Sequence, residues 1–238
     1  MSRIFVWLGG ALFVASLALC TWWYIVVLAA TEPDLALIVT GRRALPAAGR
    51  PWSIASDAFI FGVFAAHHSI FARAPVKKAL ARVIPESMLR SVYVWTASLL
   101  LILVIVVWHP IGGDLYHVTG WRAGLFAALQ LFGVGLIARA VATIDPLELA
   151  GIREHLTREG LQITGPYRWV RHPLYLGWVI AVFGAAHMTG DRLAFAVITT
   201  IYLTIAVPWE ERSLTKIFGE EYHRYQRRVR WRIIPYLF

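Results

Sequence analysis

The chain has 238 residues, of which 58% are hydrophobic and only 16% are charged, whereas about a quarter of the residues in an ordinary soluble domain are charged. One soluble core of this size cannot bury so much apolar surface, so the composition excludes an ordinary soluble domain and favours a membrane protein. The net charge of +9 does not indicate nucleic-acid binding, because the basic residues lie beside the apolar segments, where acidic phospholipid headgroups attract them.

Apolar segments of bilayer length recur along the chain. A spanning helix needs about 20 mostly apolar residues, and helices satisfy their own backbone polar groups in hydrocarbon. We predict an all-α bundle of about six transmembrane helices, with five or seven as alternatives, because the second and fifth segments are marginal. At about 27 residues the first segment exceeds the apolar core of a signal peptide. The six segments are Ile4–Ala30, Ser53–Phe71, Ser91–Trp108, Arg122–Thr143, Leu174–Met188 and Leu193–Trp209.

Basic residues predict the orientation of these helices. With six spans and the N-terminus inside, 18 of the 23 Lys and Arg residues fall on the cytoplasmic side. This asymmetry follows the positive-inside rule, and an odd number of spans breaks it. We therefore expect both termini in the cytoplasm and the segment Thr31–Pro51 outside.

Polar residues are distributed unevenly between the two halves of the chain. Residues 1–144 are predicted to form transmembrane helices with few polar side chains. Residues 145–238 contain a cytoplasmic segment, Asp145–His172, a helical hairpin and a charged tail. Within the tail, Glu211–Val229 has apolar residues on one stripe and basic residues beside it, which predicts an amphipathic, interfacial helix.

Three other residues in the first half suggest binding chemistry only weakly. Cys20 lies in the middle of an apolar helix with no second cysteine in the chain, so we expect it to serve packing. His67 and His68 suggest a metal site, but adjacent helical side chains point about 100° apart. We therefore predict no metal ion and a hydrogen-bonding or substrate-side role for the two histidines.

The two ends of the C-terminal hairpin carry opposite charges. Pro173 suits the first turn of a helix, which places Arg171 and His172 at its start. Glu210 and Glu211 follow the last apolar segment, and two carboxylates at the end of a membrane helix require a cation nearby. Because a hairpin returns to the same membrane face, we expect these four side chains to be neighbours. Taken separately, each pair is also consistent with a simple membrane anchor.

These residues belong to a longer pattern. The chain reads G-x-Y-x-x-x-R-H-P-x-Y-x-G over residues 165–177, E-E at 210–211 and F-G-x-E-Y-x-x-Y over 218–225. This combination resembles the integral membrane methyltransferases related to isoprenylcysteine carboxyl methyltransferase and the phospholipid methyltransferases, over about residues 160–235. The first half more loosely resembles the nurim-like branch, which includes bacterial methanethiol S-methyltransferases, at His68, Arg73, Lys77, Arg90 and Tyr93.

The resemblance implies S-adenosylmethionine as cofactor, bound by residues 145–238. Its sulfonium cation is attracted to aromatic faces and to a carboxylate in a partly desolvated site. It also implies catalytic roles for Arg171, Glu210 and Glu211, with Glu210 closing the pocket. The implied cofactor-binding residues are Gly160, Leu161, Gln162, Tyr167, His172, Pro173, Leu174, Tyr175 and Glu210.

Two departures from the family pattern bear on the methyl acceptor. Ala206 stands where the isoprenylcysteine enzymes have an arginine for the substrate carboxylate, and Glu159 replaces a frequent histidine. We therefore expect a small thiol or a lipophilic acceptor, with methanethiol-like S-methylation favoured. The first alternative is methylation of an isoprenylcysteine carboxyl group, a phospholipid or an isoprenoid. The second alternative is a non-enzymatic membrane protein whose tail helix binds lipid or a partner. The resemblance places the protein in a bacterial inner membrane.

Overall fold

The computed structural model describes residues 2–30, 37, 41, 49–71, 73–143 and 160–238. Most of the predicted loop Thr31–Pro51 lies outside the described residues, as do Glu159 and the first part of the predicted cytoplasmic segment Asp145–His172. The described α-helices are α1 (Ser2–Trp22), α2 (Arg50–Phe71), α3 (Ala74–Leu80), α4 (Glu86–Val107), α5 (Gly120–Ala142), α6 (Pro173–Phe183), α7 (Gly190–Phe218) and α8 (Glu220–Arg228).

Shorter elements connect the helices. The first helix continues as a five-residue π-helix, Trp23–Val27, and a 3₁₀ turn, Gly165–Arg168, precedes α6. Strands β1 (Asp114–His117) and β2 (His187–Thr189) pair as a two-stranded sheet. The sequence did not predict either strand.

Five described helices are long and apolar enough to cross a membrane: α1 with its π-helical extension, α2, α4, α5 and α7. Large apolar side chains on them are exposed, among them Phe59, Leu131 and Ile205. Lipid rather than water suits such surfaces. The prediction of a polytopic helical membrane protein is confirmed.

The predicted helix Leu174–Met188 is wrong in its last third, after Phe183. Helix α6 ends at Phe183 after 11 residues, a rise of about 16 Å, which is about half of the hydrocarbon thickness. Gly184 follows, and glycine commonly ends helices. Beyond it the amide of Val118 donates to the carbonyl of Ala186 at 2.8 Å, so the segment continues as extended chain beside the start of α5.

The predicted boundary between the last apolar helix and the tail is also wrong. Helix α7 continues past Pro208 to Phe218, so Glu210 and Glu211 lie inside a helix and not after one. Gly219, with φ +51°, then separates α7 from α8, because that backbone region favours glycine. The tail is therefore not one amphipathic helix over Glu211–Val229.

The described residues form two compact units. The first holds the described residues up to Tyr116 together with Met188–Ala194. Here the buried Asp191 accepts hydrogen bonds from the Trp108 indole at 2.8 Å and from the amides of Ile111 and Gly112. Trp108 also packs edge-on against the fully buried Trp23. Both tryptophans are therefore buried within the protein.

The second unit holds the described residues of 117–146, 156–187 and 195–238. Its helices α5 and α6 pack against each other through glycines. A Cβ atom at Gly133 would lie 2.7 Å from the carbonyl oxygen of Gly177, and one at Gly177 would lie 2.7 Å from the carbonyl oxygen of Gly133. Only glycine at both positions permits this approach, and it positions the start of α6.

Candidate active site

The turn that begins α6 is fixed by the C-terminal end of the chain. His172 is the residue before the helix, and Pro173 occupies its first position, where the missing N–H costs no hydrogen bond. The amides of Arg171 and His172 donate to the carbonyls of Trp231 and Arg232 at 2.9 and 2.8 Å. These bonds place the Arg171 and His172 side chains toward α7.

A buried ion pair lies at the centre of the site. Arg171 Nε donates to Glu211 Oε1 at 2.6 Å, and its Nη1 donates to the carbonyls of Val229 and Arg230, each at 2.7 Å. Arg232 Nε donates to the other Glu211 oxygen at 3.2 Å. The Glu211 carboxylate is therefore held by two guanidinium groups from separate segments of the chain.

Glu210 has a different environment from its neighbour. Its side chain is 45% exposed, and its Oε1 accepts a hydrogen bond from the Tyr175 hydroxyl. Oε2 lies 3.4 Å from His172 Nδ1. The rings of His172 and Tyr175 stack with centroids 5.3 Å apart. The site thus presents one accessible carboxylate beside two aromatic rings.

His172 lies between the two carboxylates. Burial lowers the pKa of His172, but its interactions with the negatively charged carboxylates of Glu210 and Glu211 outweigh this effect, so the net shift is upward. Its Nε2 atom lies 3.5 Å from Glu211 Oε1 and makes no hydrogen bond to any described residue. A buried ring nitrogen in this state can form a hydrogen bond with a ligand.

Tyrosines from two segments meet beside the ion pair. The Tyr225 hydroxyl donates to the Tyr167 carbonyl at 2.8 Å, and burial is the main cause that raises the pKa of Tyr167. Tyr222, Tyr225 and Val229 form a buried cluster against which Leu161, Leu214 and Phe218 pack. The stripe predicted for an interfacial tail helix is therefore partly buried in protein.

The structure brings only some of the predicted site residues into direct contact. Arg171, His172, Tyr175, Glu210 and Glu211 form one cluster. The others surround it less closely: Tyr167 and Leu161 contact the tyrosine cluster, Pro173 and Leu174 form the first turn of α6, and Gly160 and Gln162 make no hydrogen bond to the five clustered residues.

Sequence reasoning missed two residues of the site. Arg232 contacts Glu211 but is one of many basic residues in the tail, so no local signal distinguishes it. Tyr222 belongs to the F-G-x-E-Y pattern, but that pattern alone does not indicate a role in the site. It is 1% exposed, its hydroxyl has no partner among the described residues, and burial raises its pKa.

The histidine pair of the first unit forms a separate cluster. His68 Nδ1 lies 2.8 Å from the Tyr93 hydroxyl, and the buried His67 stacks on the Tyr93 ring. Within the described part of the chain, no group of three His, Cys, Asp or Glu side chains is placed to hold a metal ion.

Comparisons with known proteins identify the family of the chain. Residues 124–221 match the family described as phospholipid methyltransferase. Methanethiol S-methyltransferase of Crocosphaera subtropica is 37% identical over 191 residues, which cover 76% of this chain and 74% of that protein. The chain belongs to this family of membrane methyltransferases. The enzyme from Mycobacterium tuberculosis with the same name is 36% identical over 180 residues, 71% of this chain and 73% of its own.

More distant relatives extend the comparison. Nurim of Xenopus laevis is 26% identical over 169 residues, which cover 64% of this chain and 59% of that protein. No solved structure shows a significant match. The predicted family and its nurim-like branch are confirmed, and the protein is an integral membrane methyltransferase that requires a methyl donor.

Proposed function

We propose that this methyltransferase transfers a methyl group from S-adenosylmethionine to the sulfur of a small thiol of the methanethiol type. The observation that carries the proposal is the identity of 33–37% to several proteins named methanethiol S-methyltransferase, over about three quarters of this chain. The site chemistry supports the same class of reaction.

The position of Ala206 supports a neutral or thiol acceptor over a carboxylate. In the isoprenylcysteine pattern this position carries the arginine expected to bind a carboxylate. Here Ala206 is 6% exposed and the next residue, Val207, is fully buried. A buried apolar pair cannot neutralise a substrate carboxylate, which makes carboxyl methylation the weaker alternative. Phospholipid methylation remains the alternative among lipid acceptors.

The clustered residues fit a sulfonium cofactor with an amino-acid group. Bound here, S-adenosylmethionine would supply an activated methyl group on a positively charged sulfur, with a neutral thioether as leaving group. We propose that Glu210 attracts this cation, since its carboxylate is accessible and adjoins two aromatic faces. His172 Nε2, a buried nitrogen without a hydrogen bond to the described residues, is the proposed polar contact.

We propose that Arg171 and Glu211 act by positioning. Their charged groups are occupied by each other, by two backbone carbonyls and by Arg232. Methyl transfer to an ionised thiol needs alignment and exclusion of water more than proton transfer. A rigid ion pair beneath His172 provides such alignment. For an amine acceptor, Glu210 is the proposed general base.

Binding and turnover test the proposal separately. We expect purified protein in detergent to bind S-adenosylmethionine by calorimetry, and His172→Ala and Tyr175→Phe to weaken that binding without unfolding. Radiolabelled cofactor is then offered with methanethiol, a phospholipid or a prenylcysteine. Transfer to methanethiol supports the proposal. Transfer to phospholipid or prenylcysteine alone contradicts the acceptor, and absence of cofactor binding contradicts the site.

The orientation in the membrane is a further part of the proposal. We propose that both termini face the cytoplasm of a bacterium, because the basic residues are then concentrated inside. Reporter fusions at the two termini test this orientation. Signals from opposite sides of the membrane would contradict it.

A further inference from the structure

A pocket of about 470 Å³ opens beside helix α5, in the unit that carries the active site. It is bordered by the second half of α5 and by the 3₁₀ turn before α6, and none of the five clustered site residues lines it. Its main lining residues are Phe132, Gly135, Leu136, Arg139, Arg168 and Trp169. The same cavity is therefore lined by apolar side chains and by two guanidinium groups.

The floor of the pocket faces outward from a membrane-crossing helix. Phe132 is 56% exposed, and a Cβ atom built on Gly135 would have nothing within 4 Å. Helix α5 is one of the five that are long and apolar enough to span a bilayer. The open space at Gly135 is thus an apolar groove that can hold an alkyl chain, on a helix surface that faces lipid.

The cations lie where this helix ends. Arg139 is in the last turn of α5, and Arg168 is the last residue of the 3₁₀ turn. Both are exposed, and neither forms a hydrogen bond or ion pair with any described residue. Trp169, 64% exposed beside them, is a residue type typical of the membrane interface. The carbonyl end of α5 disfavours an anion, so the two guanidinium groups must supply any attraction.

We propose that this pocket binds an anionic phospholipid from the surrounding bilayer. Its phosphate lies between Arg139 and Arg168, which suit phosphate oxygens as bidentate donors, and one acyl chain lies along Phe132 and Gly135. Basic pockets at the ends of transmembrane helices recognise anionic headgroups in this way. A soluble phosphate leaves the apolar groove empty, and a zwitterionic lipid lacks the net negative charge. The binding is independent of the methyl acceptor.

Native mass spectrometry of the purified full-length protein tests the proposal. The protein is titrated with phosphatidylglycerol, with phosphatidylcholine of the same acyl chains, and with glycerol 1-phosphate. We expect phosphatidylglycerol to bind at least about fivefold more tightly than phosphatidylcholine, the factor typical of a single favourable charge near the membrane surface. Glycerol 1-phosphate should not displace it.

Matched variants locate the site. Arg139→Gln and Arg168→Gln should each weaken phosphatidylglycerol binding by about fivefold. Gly135→Leu fills the groove without changing the charge and should also weaken binding. Its control is Gly124→Leu, another α5 glycine with open space at Cβ. The charge control is Arg227→Gln in α8. Circular dichroism verifies that every variant keeps its helical content.

Four results would overturn the proposal. These are equal binding of the two lipids, equal losses in the control variants, displacement by glycerol 1-phosphate, and displacement by S-adenosylhomocysteine. The last result would assign the pocket to the cofactor instead. Failure of methyl transfer to a thiol leaves these binding measurements unaffected, so the two proposals fail separately.

Discussion

Arg171 and Glu211 form a buried ion pair, with Nε 2.6 Å from Oε1 and side chains only 7% and 6% exposed. The same guanidinium donates to two carbonyls of the C-terminal segment, and Arg232 from that segment donates to the same carboxylate. The start of α6, the last third of α7 and the C-terminal segment are therefore joined at one point, next to the half-exposed Glu210.

Removing the buried carboxylate should destabilise the fold. Glu211→Ala leaves Arg171 buried without its counterion, and loss of one partner of such a pair costs about 3–5 kcal/mol. Thermal unfolding in detergent measures the change in the free energy of unfolding. The control is Glu210→Ala at the half-exposed neighbour, which should cost no more than about 1 kcal/mol. Equal losses in the two variants would mean that the ion pair does not anchor this turn.

Removing the charge of Glu210 should affect methyl transfer more than folding. Glu210→Gln keeps the side-chain volume but removes the attraction for a sulfonium cation. At an effective dielectric near 20 that attraction is a few kcal/mol, so turnover or cofactor affinity should fall by about tenfold to a thousandfold. The assay compares Glu210→Gln with Glu220→Gln in α8. Near-wild-type activity in both variants would show that the Glu210 charge does not attract the cofactor.

His172 should make stability depend on pH. Because the pKa of His172 is raised on folding above its ordinary 6.5, its stabilising contribution is complete below pH 6.5. That contribution is lost as the pH rises through the folded-state pKa. Melting temperatures of the ligand-free protein between pH 5.5 and 8.5 should therefore fall more steeply for wild type than for His172→Gln. Parallel profiles would contradict a charged His172 between the two carboxylates.

Two neighbouring tyrosines should differ in what their hydroxyl groups contribute. Tyr225→Phe removes the hydrogen bond to the Tyr167 carbonyl and should lower the free energy of unfolding by about 1 kcal/mol. Tyr222→Phe removes a buried hydroxyl that has no partner among the described residues, so stability should be unchanged or slightly higher. Denaturant or thermal unfolding of the two variants checks this order. A larger loss for Tyr222→Phe would reveal a hydrogen bond to that hydroxyl.

Composition and local pattern were sufficient to determine the class of the protein and to predict which charged residues meet. The apolar segments predicted a polytopic helical bundle because the bilayer requires long helices that satisfy their own backbone. The motif over residues 165–177 and the pair Glu210–Glu211 indicated one cluster of opposite charges. That inference required only that the two apolar segments form a hairpin, because a hairpin brings its two ends to the same membrane face.

Tertiary contacts decided the boundaries and the role of each charge. Helix α6 ends at Phe183 and α7 continues past Pro208 to Phe218, so hydropathy alone does not give the ends of these helices. The residue type alone does not distinguish Glu210 from Glu211. Adjacent helical side chains point about 100° apart, and packing decides which of them faces inward. Only the packed structure shows that one carboxylate is buried on Arg171 and Arg232, while the other remains accessible. The burial of each glutamate and its ion-pair partners depend on residues far apart in the chain, so no local sequence pattern predicts them.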